Sequence, residues 1–485
     1  MGSEAKKLHV FFFPLMAHGH TIPMIDIARL FAARGTKCTI ITTPLNVIDF
    51  KDTIDRAKES GLDIGVEIFP FPCVESGLPE GCENVNSLPS LDFTLPFVKA
   101  LQGFQEPLER LIEKQRPDCI VSDMLLFWTA DPAKKFGVPR LVFHGTSTFS
   151  LCVIGNILRY APEANITSDS EVVVLNNFPG EIKFKRSQVA KRSYENRSDF
   201  IELRKKMYET ELMSFGIIIN SFYELEPAYA EYYRKDLGRS KTWYIGPVSL
   251  SNRNIIDKAN RGKKATIDEH DCLHWLDLKE PNSVLYVSFG SLSCFNAAQL
   301  LEIAMGLEAS NVSFIWVVRM DRLKAENQIL PEGFEERMEG KGLIIKDWAP
   351  QVLILDHPAV GGFMTHCGWN STLEGISAGL PLITWPVFAE QFYNEKLVTQ
   401  VLKTGITAGN EVWSEWVEPD KVSVTKDRVQ EVVNRLMGNG EEAEDMRRRA
   451  KELGERANKA AEEGGSSYND LTSLLEKLRV HSESD

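Results

Sequence analysis

The chain has 485 residues, of which 43% are hydrophobic and 25% charged, an ordinary balance for a globular protein. A chain of this length is too long for one ordinary core, and it predicts about two or three domains. The formal net charge of -13 argues against a nucleic-acid-binding protein or one held on anionic lipid by charge, although helix N-termini can still bind a phosphate locally.

The eight cysteines are scattered, form no CxxC motif and in several cases lie inside apolar runs. This pattern predicts free thiols in a reducing compartment. No apolar run reaches the roughly 18 residues that a membrane-spanning helix needs. A lysine pair precedes the first apolar run, as in a signal peptide, but Pro14 and the letters HGH interrupt that run. We therefore expect a cytoplasmic protein in which this run is a buried strand.

The first half of the chain alternates short β-type runs with helical patterns, which predicts a doubly wound parallel sheet. The predicted strands are Leu8–Phe13, Lys37–Thr43, Val66–Phe69, Asp118–Asp123, Leu141–His144 and Gly216–Asn220. Helices are predicted between them, for example over Ile22–Ala33 and Met124–Phe136.

The alternation stops near Pro247 and resumes after a polar segment, residues 249–270, which is typical of a linker. The second set of predicted strands is Ser283–Phe289, Ser313–Val318, Leu343–Ile345, Val360–Thr365 and Pro381–Trp385. The sequence thus predicts an α/β protein with two Rossmann-like, doubly wound domains, and the cleft between them is the natural place for a ligand.

These patterns divide the chain into four parts. We place the N-terminal domain over residues 1–248, the linker over 249–270 and the C-terminal domain over 271–462. Residues 463–485 should form a last helix that ends near Leu478 and packs back on the N-terminal domain.

Residues 348–391 carry the strongest chemical signal and read WAPQVLILDHPAVGGFMTHCGWNSTLEGISAGLPLITWPVFAEQ. The predicted strand Val360–Thr365 is followed by a turn with glycine and by a helix that opens at Asn370. Such a turn directs backbone N–H groups and a helix N-terminus at one spot, which predicts an anion site. The spacing Ser371-x-x-Glu374 also fits a capping box, and spacing alone leaves both interpretations open.

The same segment resembles the secondary-product signature of the plant UDP-glycosyltransferase superfamily. It has the full length of that signature, begins with WAPQ and contains HCGWNSTLE. Elsewhere FFFPLMAHGHTIP and FGSLS fit the family, and VFHGTSTFSLC and WYIGPVSL look like the subgroup that glucosylates flavonoids and triterpenoids. The resemblance covers nearly the whole chain and implies the two-domain fold called GT-B.

The resemblance implies a uridine site in the first and middle parts of the segment. Trp348 would stack on the uracil ring, and the backbone of Ala349 would pair with it. Gln351 would contact the ribose, and Glu374 would accept hydrogen bonds from the ribose hydroxyls.

The resemblance also implies residues for the diphosphate and the sugar. The residues that would hold the diphosphate lie in the turns after two strands: Ser291, His366, Asn370 and Ser371. Gly368 belongs to the same implied UDP-sugar site. Trp369, Glu390 and Gln391 would line the sugar, and a final Gln in this signature goes with glucose whereas His goes with galactose.

A candidate base lies after the first predicted strand. His20 should stand at the carboxyl end of that strand beside the cleft, and a histidine near its unperturbed pKa of about 6.5 can take a proton from an attacking hydroxyl. The family's catalytic histidine matches His20, although His18 is a rival by proximity. Asp123 ends another strand and could orient the imidazole, or it could cap the helix predicted from Met124.

The implied reaction is one displacement that inverts the anomeric centre and needs no metal. The sequence contains no DxD, no HExxH and no Cys/His cluster. Four aromatic residues of the first domain are candidates for the acceptor pocket, although core positions explain them as well: Phe127, Trp128, Phe149 and Phe178.

We therefore expect a monomeric, UDP-glucose-dependent O-glucosyltransferase that acts on a small apolar plant metabolite. A flavonoid or another phenolic is the first expectation for the acceptor, and a triterpenoid or sterol is the alternative. A dinucleotide-dependent oxidoreductase is disfavoured because the first strand runs into PLMAHGHTIP, which lacks G-x-G-x-x-G. A non-catalytic sugar-nucleotide-binding protein remains an alternative of another class, although both His20 and Asp123 are present.

Overall fold

Two parallel β-sheets form the framework of the molecule. The computed structural model describes residues 7–163, 166–189, 198–293, 295–319, 330–411, 413 and 421–484. The strands in these residues are β1 (His9–Phe13), β2 (Lys37–Thr42), β3 (Ile64–Ile68), β4 (Cys119–Asp123), β5 (Arg140–His144), β6 (Val172–Val174), β7 (Lys183–Lys185), β8 (Gly216–Ile219), β9 (Thr242–Tyr244), β10 (Val284–Ser288), β11 (Ser313–Val318), β12 (Gly342–Lys346), β13 (Val360–Thr365), β14 (Leu382–Thr384) and β15 (Gly405–Thr407).

Helices connect these strands and cover both sheets. The α-helices in the described residues are α1 (His18–Ala32), α2 (Lys51–Glu59), α3 (Thr94–Gln102), α4 (Gln105–Gln115), α5 (Ala130–Lys135), α6 (Thr148–Tyr160), α7 (Ser198–Leu212), α8 (Pro227–Lys235), α9 (Ile255–Ala259), α10 (Glu269–Asp277), α11 (Ala297–Ser310), α12 (Phe334–Arg337), α13 (Gln351–Leu355), α14 (Trp369–Ser377), α15 (Gln391–Lys396), α16 (Lys426–Met437), α17 (Glu441–Ala461) and α18 (Ser466–Ser484).

Both sheets reverse their strand order near the centre. The first sheet has the order β3-β2-β1-β4-β5-β8-β9, and the second has the order β12-β11-β10-β13-β14-β15. The pairs β1/β4 and β10/β13 are parallel. The strands that follow the first member of each pair in sequence lie on one side of the pair, and the strands that follow the second member lie on the other side. The loops at the carboxyl ends of such a pair diverge and leave a crevice, which is where open α/β sheets bind ligands. The predicted α/β class with two doubly wound units is confirmed.

The predicted strands all overlap observed strands, and their ends differ by at most two residues. The prediction missed the edge strands β9 and β15 and the antiparallel pair β6/β7, because runs of three residues are too short to show a period. The helix predicted over Met124–Phe136 was wrong at its start. Asp123 Oδ1 accepts a hydrogen bond of 3.0 Å from the amide of Leu125, so a side-chain turn replaces the first helical residues, and α5 begins only at Ala130.

The polar segment between the two sheets is structured in the main. Residues 249–270 include α9 and the end of a 3-10 turn over Val248–Ser251. Asn252 is 2% exposed and Ala259 is 6% exposed. The segment is polar because its side chains pair with other parts of the molecule, which composition alone does not reveal.

The last helix crosses back to the first sheet. Helix α18 runs to Ser484, beyond the predicted end near Leu478. Its buried leucines recur at helical spacing and belong to the same apolar cluster as strands β1 and β2 and helix α1: Leu471, Leu474, Leu475 and Leu478.

Two further findings bear on the thiols and on membranes. The cysteines in the described residues are buried and free, whereas Cys294 lies outside those residues. Within the described ranges, no helix is both long enough and apolar enough to cross a lipid bilayer.

We predict that Leu474→Ala lowers the free energy of unfolding by about 2–5 kcal/mol, the usual cost of truncating a fully buried leucine. Leu474 is 0% exposed, whereas Val480 on the same helix is 65% exposed. Val480→Ala is therefore the matched control and should change stability little. Urea unfolding followed by circular dichroism measures both, and equal effects of the two substitutions would contradict the docking of α18 described above.

Candidate functional site

The crevices of the two sheets meet at one cleft. Asn370, in the second residue of α14, donates from Nδ2 to the carbonyl oxygen of Gly19 at 2.6 Å. Trp369 donates from Nε1 to the carbonyl oxygen of Asn220 at 2.7 Å. These two bonds join the turn after β13 to the first turn of α1, which follows β1, and to the loop after β8, so the carboxyl ends of both sheets line one site.

His20 and Asp123 form a hydrogen-bonded pair on the first-sheet side of the cleft. His20 lies in the first turn of α1 with its side chain 30% exposed, and its Nδ1 is 2.7 Å from Oδ2 of the fully buried Asp123. The other carboxylate oxygen accepts from the amide of Leu125, so Asp123 both closes a turn and orients the imidazole. With Nδ1–H directed at the carboxylate, the neutral ring carries its lone pair on Nε2.

Charges from both sides of the cleft act on His20. Burial lowers its pKa, but the carboxylate of Asp123 outweighs burial and the net shift is upward, with a further contribution from Glu390. Burial raises the pKa of Glu390, and the charge of His20 opposes that shift. His20 and Glu390 therefore face the same region although they belong to different sheets.

The rival histidine is engaged elsewhere. His18 Nε2 is 3.0 Å from Asp49 Oδ2, and the side chain is 7% exposed. Its ring centroid lies 5.3 Å from that of Trp348. Since His18 is buried against an aromatic ring, the geometry favours His20 as the base.

The turn between β13 and α14 has the form of an anion site. Cys367 adopts a left-handed conformation with φ 64°, and α14 begins at Trp369 with Gly368 as its N-cap and no capping side chain. The capping-box interpretation, one of the two that spacing left open, is therefore wrong, because Ser371 lies inside the first turn of the helix and Glu374 bonds to other partners. The uncapped N–H groups of this turn are free to bind an anion.

His366 fills the space between two glycines. A Cβ on Gly290 would lie 2.4 Å from His366 Cε1, and a Cβ on Gly368 would lie 2.3 Å from Nε2. Only glycine fits at either position without moving the ring. Burial lowers the pKa of His366 to about 4, so the ring is a neutral hydrogen-bonding group at neutral pH.

Ser291 lies in a loop that is held by its backbone. Its carbonyl oxygen accepts from Asn86 Nδ2 at 2.9 Å and from Arg319 Nη1 at 3.0 Å. The loop follows β10, next to the turn after β13, so Ser291 and His366 lie on one side of the same crevice.

A second group of predicted residues surrounds Glu374. Gln351 donates from Nε2 to Glu374 Oε2 at 2.6 Å and to Ser371 Oγ at 3.1 Å. Trp348 is half-buried and Ala349 is buried, and the carbonyl oxygen of Trp348 accepts from the amide of Thr266 at 2.9 Å. An aromatic ring and a carboxylate thus lie in one part of the cleft.

Of the residues predicted to line the sugar, Trp369 lies in the core, whereas Gln391 is held by backbone amides. The indole of Trp369 is 2% exposed and packs in an apolar cluster, so it supports the turn from behind and does not line open space. Gln391 begins α15, and its Oε1 accepts from the amides of Val387 and Phe388 at 2.8 and 3.0 Å. The amide NH₂ of Gln391 is then the end left for a ligand.

The aromatic candidates for the acceptor pocket are mainly core residues. Phe127, Trp128 and Phe149 are 8%, 5% and 0% exposed. Trp128 packs edge-on against Phe13 with centroids 5.7 Å apart, whereas Phe178 is half-buried. Phe127, Trp128 and Phe149 are therefore core residues, because other parts of the protein already cover their side chains.

Sequence reasoning missed two residues that hold the site together. Arg261 lies in the predicted linker, yet it pairs with Asp26 and Glu374, which are 235 and 113 residues away. Asn394 accepts at Oδ1 from the hydroxyls of two serines after β5, and its Nδ2 donates to the carbonyl oxygen of Cys367 at 2.9 Å. Partners so distant in sequence leave no local pattern that could have indicated either residue. Among the described residues, no cluster of three or more His, Cys, Asp or Glu is arranged to hold a metal ion.

Known proteins are similar to this chain over nearly its whole length. A family model described as UDP-glucoronosyl and UDP-glucosyl transferase matches residues 259–418. The chain is 55% identical to the scopoletin glucosyltransferase of Nicotiana tabacum over 98% of this chain and 99% of that protein. It is 50% identical to the UDP-glucose flavonoid 3-O-glucosyltransferase 7 of Fragaria ananassa, over 98% and 97% of the two chains.

A solved structure has the same fold over the whole chain. Glycyrrhiza uralensis UGT73P12, complexed with glycyrrhetinic acid 3-O-monoglucuronide, superposes with a TM-score of 0.91 at 40% identity. The match covers 99% of this chain and 97% of that one.

We predict that His366 stays neutral until the pH falls to about 4. Because folding lowers this pKa below the ordinary 6.5, protonation opposes folding, and the stability contributed by the neutral ring is lost as the pH falls from 6.5 towards 4. Nuclear magnetic resonance of protein with ¹⁵N-labelled histidine follows the titration, and the His366→Asn variant identifies the signal. A His366 signal that titrates near pH 6.5 would contradict the buried, neutral ring.

Proposed function

The chain belongs to the plant UDP-glycosyltransferase superfamily, and on this premise we propose that it transfers glucose from UDP-glucose to a hydroxyl of a small phenolic acceptor with inversion. The observation that carries the proposal is the His20–Asp123 pair, 2.7 Å apart, next to the turn that would bind the donor. Asn370 joins the two, since it lies in that turn and donates to the residue before His20.

His20 acts as the general base in this proposal. Its Nε2 accepts the proton of the acceptor hydroxyl while the oxygen attacks the anomeric carbon from the face opposite UDP. Asp123 stabilises the imidazolium that forms and is not itself protonated. One displacement inverts the anomeric centre, so an α-linked donor gives a β-glucoside.

The donor would lie along the second sheet. Trp348 stacks on uracil, the backbone of Ala349 pairs with it, and Gln351 and Glu374 bind the ribose. The groups assigned to the diphosphate are the turn residues Ser291, His366, Gly368, Asn370 and Ser371. Glu390 and Gln391 contact the sugar, and the Gln at the end of the signature supports glucose as the donor sugar.

No metal ion is needed in this scheme. The N–H groups at the start of α14 would meet the charge that develops on the departing UDP. The neutral state of His366 suits it to hydrogen-bond the diphosphate without adding a buried charge. We further propose that the enzyme works as a monomer in the cytoplasm.

Two acceptor classes are supported to different degrees. Relatives at 55% and 50% identity are named for scopoletin and a flavonoid, which supports a phenolic acceptor. The solved structure at 40% identity contains glycyrrhetinic acid 3-O-monoglucuronide, which supports a triterpenoid or sterol as the second candidate. A non-catalytic sugar-nucleotide-binding protein is disfavoured because the base and its carboxylate are both in place.

The test is an assay of the purified chain with UDP-glucose and EDTA against flavonols, hydroxycoumarins, simple phenols and triterpenoid aglycones. We expect a product heavier than the acceptor by one hexose, with β configuration by nuclear magnetic resonance. His20→Ala should lower turnover by about 10²–10⁴-fold because the general base is lost, while the circular dichroism spectrum is unchanged. An α-glucoside, or a His20→Ala variant as active as the wild type, would refute the mechanism.

The pH profile tests the pair directly. The base must be unprotonated, so kcat/KM should decrease as the pH falls through the pKa of His20. That pKa lies above the ordinary 6.5, because the carboxylate of Asp123 raises it by more than burial lowers it. Asp123→Asn removes that effect and should move the acidic limb to lower pH while it reduces the rate by about 10²–10⁴-fold. Asp49→Asn, which alters the partner of His18, is the control and should leave the limb in place. An acidic limb that does not move in Asp123→Asn would exclude His20 as the titrating base.

A further inference from the structure

Three buried charged side chains meet between the two sheets. Arg261 Nε is 2.7 Å from Asp26 Oδ2, and its Nη1 donates to Glu374 Oε1. The side chains of Arg261, Asp26 and Glu374 are 9%, 3% and 5% exposed. Burial acts to lower the pKa of Arg261, but the two carboxylates outweigh burial and raise it, so the guanidinium stays charged.

We propose that Arg261 is a positioning residue of the donor site: it holds the carboxylate of Glu374 for the ribose and ties that carboxylate to the helix that carries the base. This inference rests on the proposed function, since the role of Glu374 in binding the ribose is part of that proposal. Arg261 lies in the segment between the sheets, and the signature begins only at Trp348.

The hydrogen-bond capacity of Glu374 fits this role. An ionised carboxylate can accept about four hydrogen bonds. Arg261 occupies one position on Oε1, and Gln351 Nε2 occupies one on Oε2 at 2.6 Å. One position on each oxygen is left, which matches the two neighbouring hydroxyls of a ribose. Arg261 thus fixes the carboxylate without saturating it.

The other end of the bridge is anchored on the first sheet's side. Asp26 Oδ1 accepts from Asn252 Nδ2 at 3.0 Å, and Arg29 donates to Asn252 Oδ1 at 2.5 Å and to Asp257 Oδ2 at 2.9 Å. Asp26 and Arg29 lie on α1, the helix whose first turn holds His20. The bridge therefore fixes the position of the Glu374 carboxylate relative to His20.

The neighbouring glycine supports the same assignment. Gly262 has φ +90°, and a Cβ there would lie 2.7 Å from Ile22 Cδ1 and 2.9 Å from Trp348 Cζ2. The backbone of this segment therefore packs directly against the ring proposed to stack on uracil. The segment that holds Arg261 therefore borders the proposed nucleotide site through Gly262.

The choice of substitution follows from burial. Removing the guanidinium would take the nearest cation away from two buried carboxylates, which is strongly destabilising. Arg261→Lys keeps the charge, but a single ammonium cannot replace a planar fork that reaches two carboxylates at once. Arg337→Lys is the matched control, because Arg337 makes a similar forked pair with Glu308 on an exposed surface, with side chains 46% and 28% exposed.

The experiment measures UDP binding by isothermal titration calorimetry and the kinetics with UDP-glucose, together with thermal unfolding. We expect Arg261→Lys to weaken UDP binding by about tenfold or more, the usual effect of losing a charge-assisted hydrogen bond. KM for UDP-glucose should rise accordingly, while KM for the acceptor stays within about twofold. Arg337→Lys should bind UDP like the wild type.

Asp26→Asn is the second variant and keeps the pair between Arg261 and Glu374. It should leave UDP affinity within about threefold but lower kcat by about tenfold, because the donor is no longer fixed relative to His20. This split between affinity and turnover is not expected of a residue that only stabilises the fold.

The outcomes are distinct. Unchanged UDP affinity in a folded Arg261→Lys variant would overturn the inference, and if that variant does not fold, an unchanged kcat in Asp26→Asn would overturn it. A wild-type protein that binds no UDP would instead refute the proposed function, and the inference with it.

Discussion

Parallel pairing of the central strands is the constraint on which the site depends. Strands β1 and β4 are in register from Val10 opposite Cys119 to Phe13 opposite Ser122, so both end at the same edge of the sheet. The residue after Ser122 is Asp123, and the loop after Phe13 leads to α1 and His20. The same arrangement of β10 and β13 brings Ser291 and His366 to one crevice. Residues more than 100 positions apart along the chain can meet because the carboxyl ends of parallel strands lie at the same end of the sheet.

Two buried carboxylates of the cleft each have a partner from another element. Asp123 faces a histidine and a backbone amide, and Glu374 faces a guanidinium and a carboxamide. His366 is kept neutral by burial. Buried polar groups that are satisfied in this way hold their geometry without reorganisation. The hydrogen-bonding groups of such a site are in position before an anionic ligand binds.

Local patterns predicted the fold, whereas most residues of the candidate site were predicted from the resemblance to a family signature. Short β-branched runs located the strands, and a long signature located the turn after β13. Local spacing could not decide which residue caps α14, since Ser371 fits a capping box in sequence but lies inside the helix. Nor could it locate Arg261, whose partners come from helices on both sheets. The aromatic residues were ambiguous for a similar reason, because side-chain type does not distinguish the wall of a pocket from the core.

The return of α18 to the first sheet has a consequence for biosynthesis. Leu471, Leu474, Leu475 and Leu478 complete an apolar cluster whose other members come largely from the first 250 residues. A chain emerging from the ribosome therefore exposes part of that cluster until residues 466–484 have been translated. The core beneath the first sheet is therefore complete only after α18 has been translated, and every strand of the second sheet is made before that helix.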